Sequence, residues 1–214
     1  MGHDEFNFTT SPQPNEIESR SNPIIHESAE ISDEATIGER TRIWHQSQIR
    51  EGVRIGKDCS IGKNVYIDKG VRIGDRVKIQ NGVSIFQGVT IEDQVFIGPY
   101  ATFTNDRFPR AMYENFKREE TLLKKGSSVG ANATIICGVT LSEYSMLGAG
   151  STLTSSTLPY GLYVGSPARL KTFITPCGKK LELSEILDGT VTFVSDEHEL
   201  TISFKLEAIP KKLS

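Results

Sequence analysis

Isoleucine occupies every sixth position from Ile25 to Ile97, thirteen times without a miss. Four residues after each one stands a small or β-branched side chain, among them Ala29, Thr41, Val53, Cys59, Val65, Val77 and Ala101. A period of six fits neither the alternation of a strand nor the 3.6-residue turn of a helix. It is the mark of a stacked solenoid, in which no repeat can bury its apolar edge alone and each must lean on its neighbours. Each hexad then supplies one short strand with an inward aliphatic residue, followed by a corner. Glycine follows the isoleucine at Gly38, Gly56, Gly62, Gly74 and Gly98, where slimness is needed as the chain bends. Gly52, Asn64, Gly70, Gly82 and Gly88 stand three residues after an isoleucine, at positions suited to positive φ. Three hexads close a triangular turn, so residues eighteen apart stack at about 4.8 Å.

The ladder breaks after Phe103 and is plain again from Val129 through Ile135, Leu141, Leu147 and Leu153. The same register after the gap makes residues 104–126 an excursion from the coil and not its end. An insertion of this length inside a compact domain is usually functional. It holds Thr104-Asn105-Asp106, Pro109-Arg110 and basic pairs at Lys117-Arg118 and Lys124-Lys125.

The 214 residues suit one repeat domain with modest appendages. Residues 1–22 are polar and aperiodic and read as an arm, 23–169 as the coil, and 170–214 as a C-terminal cap. In the cap, 190–194 and 200–206 alternate as two short strands covering an open solenoid end. Without an apolar run or a basic-then-apolar leader, the expected location is the cytoplasm, with no membrane partner. A net charge of −3 argues against nucleic acid. Cys59 falls on an inward position, Cys137 precedes Gly138 and Cys177 lies in the tail. No C-x-x-C occurs, so no metal site is expected.

Chemistry on a solenoid must come from the corners. Aligned by eighteen, His45, Lys63, Asn81 and Pro99 form one column, Asp75 and Asp93 another, and Lys69, Gln87 and Asn105 a third. Asn81 stands out because Gln80, Ser84, Phe86 and Gln87 surround it in sequence; its plainer role is that of a corner former. His45, beside the single tryptophan Trp44, is two coils from Asn81, on the order of 10 Å.

Residues 79–110, IQNGVSIFQGVTIEDQVFIGPYATFTNDRFPR, resemble the nucleotide-sugar N-acyltransferases of the hexapeptide superfamily. The likeness extends through residues 43–67 and through 129–170, with GAGSTLT and GSPAR, across nearly the whole coil. It implies an all-β, left-handed parallel β-helix with one inserted loop, and the hand comes from the resemblance alone. It also implies a homotrimer with active sites between subunits, acetyl-CoA or another acyl-CoA as co-substrate, and a UDP- or dTDP-linked 3-amino or 4-amino deoxyhexose as acceptor. Carried over, Asn81 orients the sugar amine, and Gln80, Ser84, Phe86, Gln87, Asn105 and Arg110 contact the sugar or diphosphate. Ala131, Gly148, Ala149, Ser166, Pro167, Arg169 and Lys171 border the CoA groove, the two cations answering its phosphates.

No histidine lies within residues 79–170, whereas many O-acyl relatives use a histidine base. An amine with a pKa near 8 is partly neutral at pH 7 and attacks without one, so N-acylation is favoured. Three alternatives compete. A γ-type carbonic anhydrase needs three zinc histidines, and the coil carries only His26 and His45. A non-catalytic trimeric scaffold would leave the corner residues random. An O-acetyltransferase would require His45 to face the thioester. Relatives of this type often pair cysteines in the tail; Cys177 is alone there, which leaves no metal role.

Overall fold

The computed structural model describes residues 21–112 and 118–209. The expectations for residues 1–20 and for Lys117 fall outside them. The chain winds as a parallel β-helix whose short strands end on the inward ladder residues, in three sheets. Sheet one stacks Ile25, Ile43, Ile61, Ile79, Ile97, Val129, Leu147 and Tyr163. Sheet two stacks Ile31, Ile49, Ile67, Ile85, Phe103, Ile135 and Leu153. Sheet three stacks Ile37, Ile55, Ile73, Ile91, Leu123 and Leu141. The pairing step is eighteen residues, as the period predicts. From Ile43 to Leu153 these ladder residues are buried, at 4% exposure or less. In the first coil Ile25 is 41% exposed, because no described coil lies beneath it.

The corner geometry follows the sequence. Gly52, Gly70, Gly82, Gly88 and Asn64 all have positive φ, joined by Arg40, Gln46, Asp58, Arg76, Gln94, Tyr100 and Tyr144. Glycine directly after the ladder residue answers to close approach between coils. A methyl on Gly62 would lie 2.7 Å from Asn81 N, and one on Gly98 would lie 2.6 Å from Ala131 N. The polar inward companion Thr41 is satisfied in place, whereas the buried Ser127 Oγ has no partner among the described residues. Thr41 donates to the Gly56 carbonyl at 2.7 Å and accepts from Cys59 N–H at 3.0 Å. Cys59 itself is fully buried.

The excursion is shorter than the sequence suggests. Ile97 pairs with Val129, thirty-two residues on instead of eighteen, an insertion of fourteen. The chain is back in sheet three by strand Thr121–Leu123, paired to Val89–Ile91. Leu123 lies six residues before Val129 and has its small companion at Ser127, so it is in register. The charged pair Lys124-Lys125 at the following corner hides that register in the sequence.

The cap also differs. Strand Gly161–Gly165 is the last parallel strand of sheet one, and Ala168–Phe173 folds back antiparallel on it. Coil and cap are thus joined by a hairpin that crosses residue 170. Beyond it lies a separate antiparallel sheet of three strands, Glu182–Leu187, Thr190–Ser195 and Leu200–Lys205. The last two match the expected pair. The first was not expected, because a register shift between Leu183 and Glu185 breaks its alternation. Phe173, fully buried, ties this sheet to the hairpin through ring contacts with Phe193 at 4.6 Å and Phe204 at 4.8 Å.

Candidate functional site

Most of the predicted residues lie along two of the prism's three long edges. The edge between sheets one and two carries a continuous double column set by the strand register. From the first coil upward it runs His26, Trp44–His45, Gly62–Lys63, Gln80–Asn81, Gly98–Pro99, Gly130–Ala131 and Gly148–Ala149. The turn at Ser166–Pro167 lies over its upper end, where Ser166 Oγ is 3.0 Å from Thr152 Oγ1 and Gly165 N–H donates to Ser151 Oγ at 2.9 Å. The residues expected to meet the amine and most of those expected to border CoA therefore share one edge. Arg169 and Lys171 follow on the same exposed face of strand Ala168–Phe173.

Asn81 has a structural duty there. Its Oδ1 accepts the Lys63 backbone N–H at 3.0 Å, one coil below. Asp75 does the same for Lys57 N–H at 2.9 Å, and Asp93 for Asp75 N–H at 2.8 Å, on the edge between sheets three and one. The slimness of the upper column likewise has a cause in the coil. A methyl on Gly130 would run into the Ala149 backbone, and one on Gly148 would lie 2.9 Å from Val164 Cγ1. At the lower end His45 stacks on His26 with ring centroids 3.5 Å apart, and nearly parallel to Trp44 at 6.4 Å.

Phe86, Gln87 and Asn105 lie on the edge between sheets two and three, where the excursion leaves the coil. Ser84 is on the outer face of sheet two between the two edges, level with Tyr66 and Thr102. Gln87 is held from two sides. Its backbone N–H donates to Asp68 Oδ2 at 3.2 Å, and its Oε1 accepts Arg118 Nη2 at 2.7 Å. Tyr66 donates to Asp68 Oδ1 at 3.0 Å and meets the Phe86 ring at 6.2 Å. Burial pushes the Asp68 carboxyl up, but the N–H donors of Lys69 and Gln87, the Tyr66 hydroxyl and the Arg50 charge outweigh it and hold it below the ordinary carboxylate range. Burial, then the neighbouring carboxylate, push the Tyr66 phenol up. Arg110 is exposed in the excursion, its guanidinium bonded only to the adjacent Pro109 carbonyl at 2.8 Å among the described residues.

Tyr66, Asp68 and Arg118 were not singled out from the sequence. The eighteen-residue alignment does hold the signal for two of them, since it stacks Arg50, Asp68, Phe86 and Thr104 in one column and Tyr66 under Ser84. Arg118 reaches the site only through the path of the excursion, which no repeat predicts. A separate concavity lined by Arg54, Arg72, Glu92, Asp93 and Lys125 lies on sheet three and holds none of the predicted residues. Among the described residues no three His, Cys, Asp or Glu side chains cluster closely enough to hold a metal ion. No described helix is long and apolar enough to cross a membrane.

Residues 52–87 and 125–155 match the family model for the hexapeptide repeat of succinyl-transferase. Both matched stretches lie within the coil, whose strands recur every six residues. Over 69 residues the chain is 45% identical to dTDP-3-amino-3,6-dideoxy-alpha-D-galactopyranose 3-N-acetyltransferase of Aneurinibacillus thermoaerophilus, a stretch covering 32% of this chain and 35% of that protein. Over 60 residues it is 37% identical to the bifunctional protein GlmU of Rubrobacter xylanophilus, covering 28% of this chain and 13% of the relative. The matches thus span about a third or less of these relatives' lengths. Among solved structures, PerB from Caulobacter crescentus, determined with CoA and GDP-perosamine, aligns at a TM-score of 0.46 and 20% identity, over 70% of this chain and 56% of that one.

Proposed function

We propose that this hexapeptide-repeat protein is a CoA-dependent N-acyltransferase acting on the amino group of a UDP- or dTDP-linked 3-amino or 4-amino deoxyhexose, in surface-polysaccharide sugar biosynthesis. The observation that carries the reading is the shared edge: Gln80–Asn81 lie in one column with Ala131 and Ala149, beneath the Ser166–Pro167 turn. The relative from A. thermoaerophilus, named as a 3-N-acetyltransferase of a dTDP-linked amino sugar, supports the substrate class.

In this reading acetyl-CoA lies along the upper edge, with Arg169 and Lys171 offsetting phosphate charge. The amine attacks the thioester carbonyl, the tetrahedral intermediate collapses with loss of CoA thiolate, and the thiolate accepts the amine's proton. The protein's contribution is proximity and orientation. One lone pair of Asn81 Oδ1 is committed to Lys63; the carbonyl's second lone pair is available to an amine N–H. Phe86, Gln87 and Asn105 lie one sheet away from Asn81, and Arg110 follows Asn105 into the excursion. A homotrimer that sets the second edge of one subunit against the first edge of the next would bring the two groups to one substrate.

The test is thiol release from acetyl-CoA and longer acyl-CoAs against UDP- and dTDP-linked 3-amino and 4-amino sugars, with the hydroxyl analogues alongside. Turnover on one amino sugar and none on its hydroxyl twin is expected. No turnover across the panel by a folded oligomer would overturn the reading in favour of a scaffold. Turnover on the hydroxyl twin would favour O-acylation.

A further inference from the structure

Cys177 has surroundings unlike those of the other two cysteines. Cys59 and Cys137 are fully buried, whereas Cys177 is exposed at a tight turn between the hairpin and the three-stranded sheet. That turn is closed by Thr175 N–H to the Lys179 carbonyl at 2.7 Å and Gly178 N–H to the Thr175 carbonyl at 2.9 Å. The Cys177 sulfur lies 2.9 Å from His198 Nε2 and 3.1 Å from Thr175 Oγ1. Thr175 is 1% exposed, and its oxygen accepts the Lys179 N–H at 3.1 Å, which leaves its own hydrogen free to donate to sulfur. On the far side of the imidazole, Ser195 Oγ is 3.2 Å from Nδ1. With Ser195 accepting from Nδ1–H, the Nε2 lone pair faces the thiol. Nucleophile, base and orienting group thus stand in sequence, the arrangement that activates a thiol.

The hydrogen bonds to the sulfur and the Lys179 charge act in the same direction, with Glu197 against them. The Thr175 hydroxyl foremost, then the Lys179 N–H and ammonium, hold the thiol below its ordinary range, against the opposing effects of burial and Glu197. Lys179 is paired with Glu197, so part of its charge is spent there. Neither edge of the coil discussed above includes these residues, and the acyl transfer does not use them.

We propose that Cys177 is a reactive thiol, served by His198 as base, that forms mixed disulfides with low-molecular-weight disulfides. The thiol proton passes to His198 Nε2. The Cys177 thiolate attacks one sulfur of the small disulfide, and a new S–S bond forms as the old one breaks. The departing thiolate takes the proton from the imidazolium. The small disulfide is the oxidant, and the step reverses with excess small thiol.

The experiment uses the full chain. Iodoacetamide alkylation of each cysteine is followed by peptide mass mapping from pH 5.5 to 9, natively and in urea, and glutathione disulfide then serves as the exchange probe. The expected result is labelling of Cys177 alone in the native protein, with a pH midpoint below the roughly 8.5 of an ordinary cysteine that the urea sample should show. At pH 6.5 native Cys177 should react at least about threefold faster than in urea, since added thiolate outweighs its lower nucleophilicity. His198→Gln should return the midpoint toward the urea value, and Cys177→Ser should abolish the glutathione adduct. A native midpoint at or above the urea value, or no adduct with glutathione disulfide, overturns the proposal. The native-against-urea comparison needs no variant, so a misfolded substitution cannot decide it.

Discussion

Asn81 holds the backbone of Lys63, its Oδ1 accepting that N–H at 3.0 Å across eighteen residues of sequence. One side chain therefore serves the corner of one coil and stands at the site proposed for the sugar amine. The two roles predict different outcomes for two substitutions. Asn81→Ala removes the coil bond, worth about 1 kcal/mol, or about 2–4 °C of Tm in a chain of this size. It should also lower kcat at least about 100-fold where the protein is fully folded, a loss in the range expected for a positioned transition-state contact. Asn81→Asp keeps an acceptor and should keep Tm, with turnover far above that of the alanine variant. Near-normal turnover by Asn81→Ala would leave Asn81 with its corner role alone.

Asp68 joins Lys69, Gln87 and Tyr66, and its carboxyl is held below the ordinary range in the fold. A depressed folded pKa contributes stability that is fully present above the unfolded value of about 3.9 and is lost as pH falls through the folded value. Asp68→Asn should therefore cost about 1–2 kcal/mol at pH 7. The gap to the native protein should narrow progressively as pH falls below the unfolded value of about 3.9. Denaturant melts at pH 7 and pH 3 check this; an equal gap at both would show that the charge of Asp68 contributes nothing.

Two kinds of glycine should respond differently to substitution. A methyl on Gly98 lands 2.6 Å from Ala131 N and 2.8 Å from the Gly130 carbonyl carbon, and backbone cannot yield as a flexible side chain can. Gly98→Ala should destabilise by about 1–3 kcal/mol or more. Gly52 has φ of +67° and open space around it, and Asn64 and Asn132 already sit at positive φ. Gly52→Asn should stay within about 1 kcal/mol. Paired urea melts of the two variants read this directly.

Phe173 is the ring that joins hairpin and tail sheet. Phe173→Ala should cost about 3–5 kcal/mol. The loss should appear first as faster proteolysis within residues 174–209, while the coil stays protected. Simultaneous digestion of coil and tail would show that the two unfold as one unit.

Arg169 and Lys171 share one exposed face of their strand. If they meet the 3′-phosphate of CoA, acetyl-dephospho-CoA should show a raised KM with the native protein. The Arg169→Ala, Lys171→Ala double variant should no longer distinguish the two donors. A variant that still discriminates would place the phosphate elsewhere.

The period of six determined the coil, its core and its corners. An inward aliphatic residue every six positions can be buried only by stacking, and stacking at eighteen residues then places Asn81, the Asp75–Asp93 column and the positive-φ glycines. The tertiary structure alone decided three things. It returned the chain to sheet three at Thr121, because Leu123 can fill the core although Lys124 and Lys125 follow it. It added strand Glu182–Leu187, whose bulge erases the alternation that would have revealed it. It also set Arg118 against Gln87 and His198 against Cys177, pairs 31 and 21 residues apart that no repeat relates. A repeat fixes neighbours because every coil meets the next in the same way; an insertion or a tail finds its partners only once the whole surface it folds against exists.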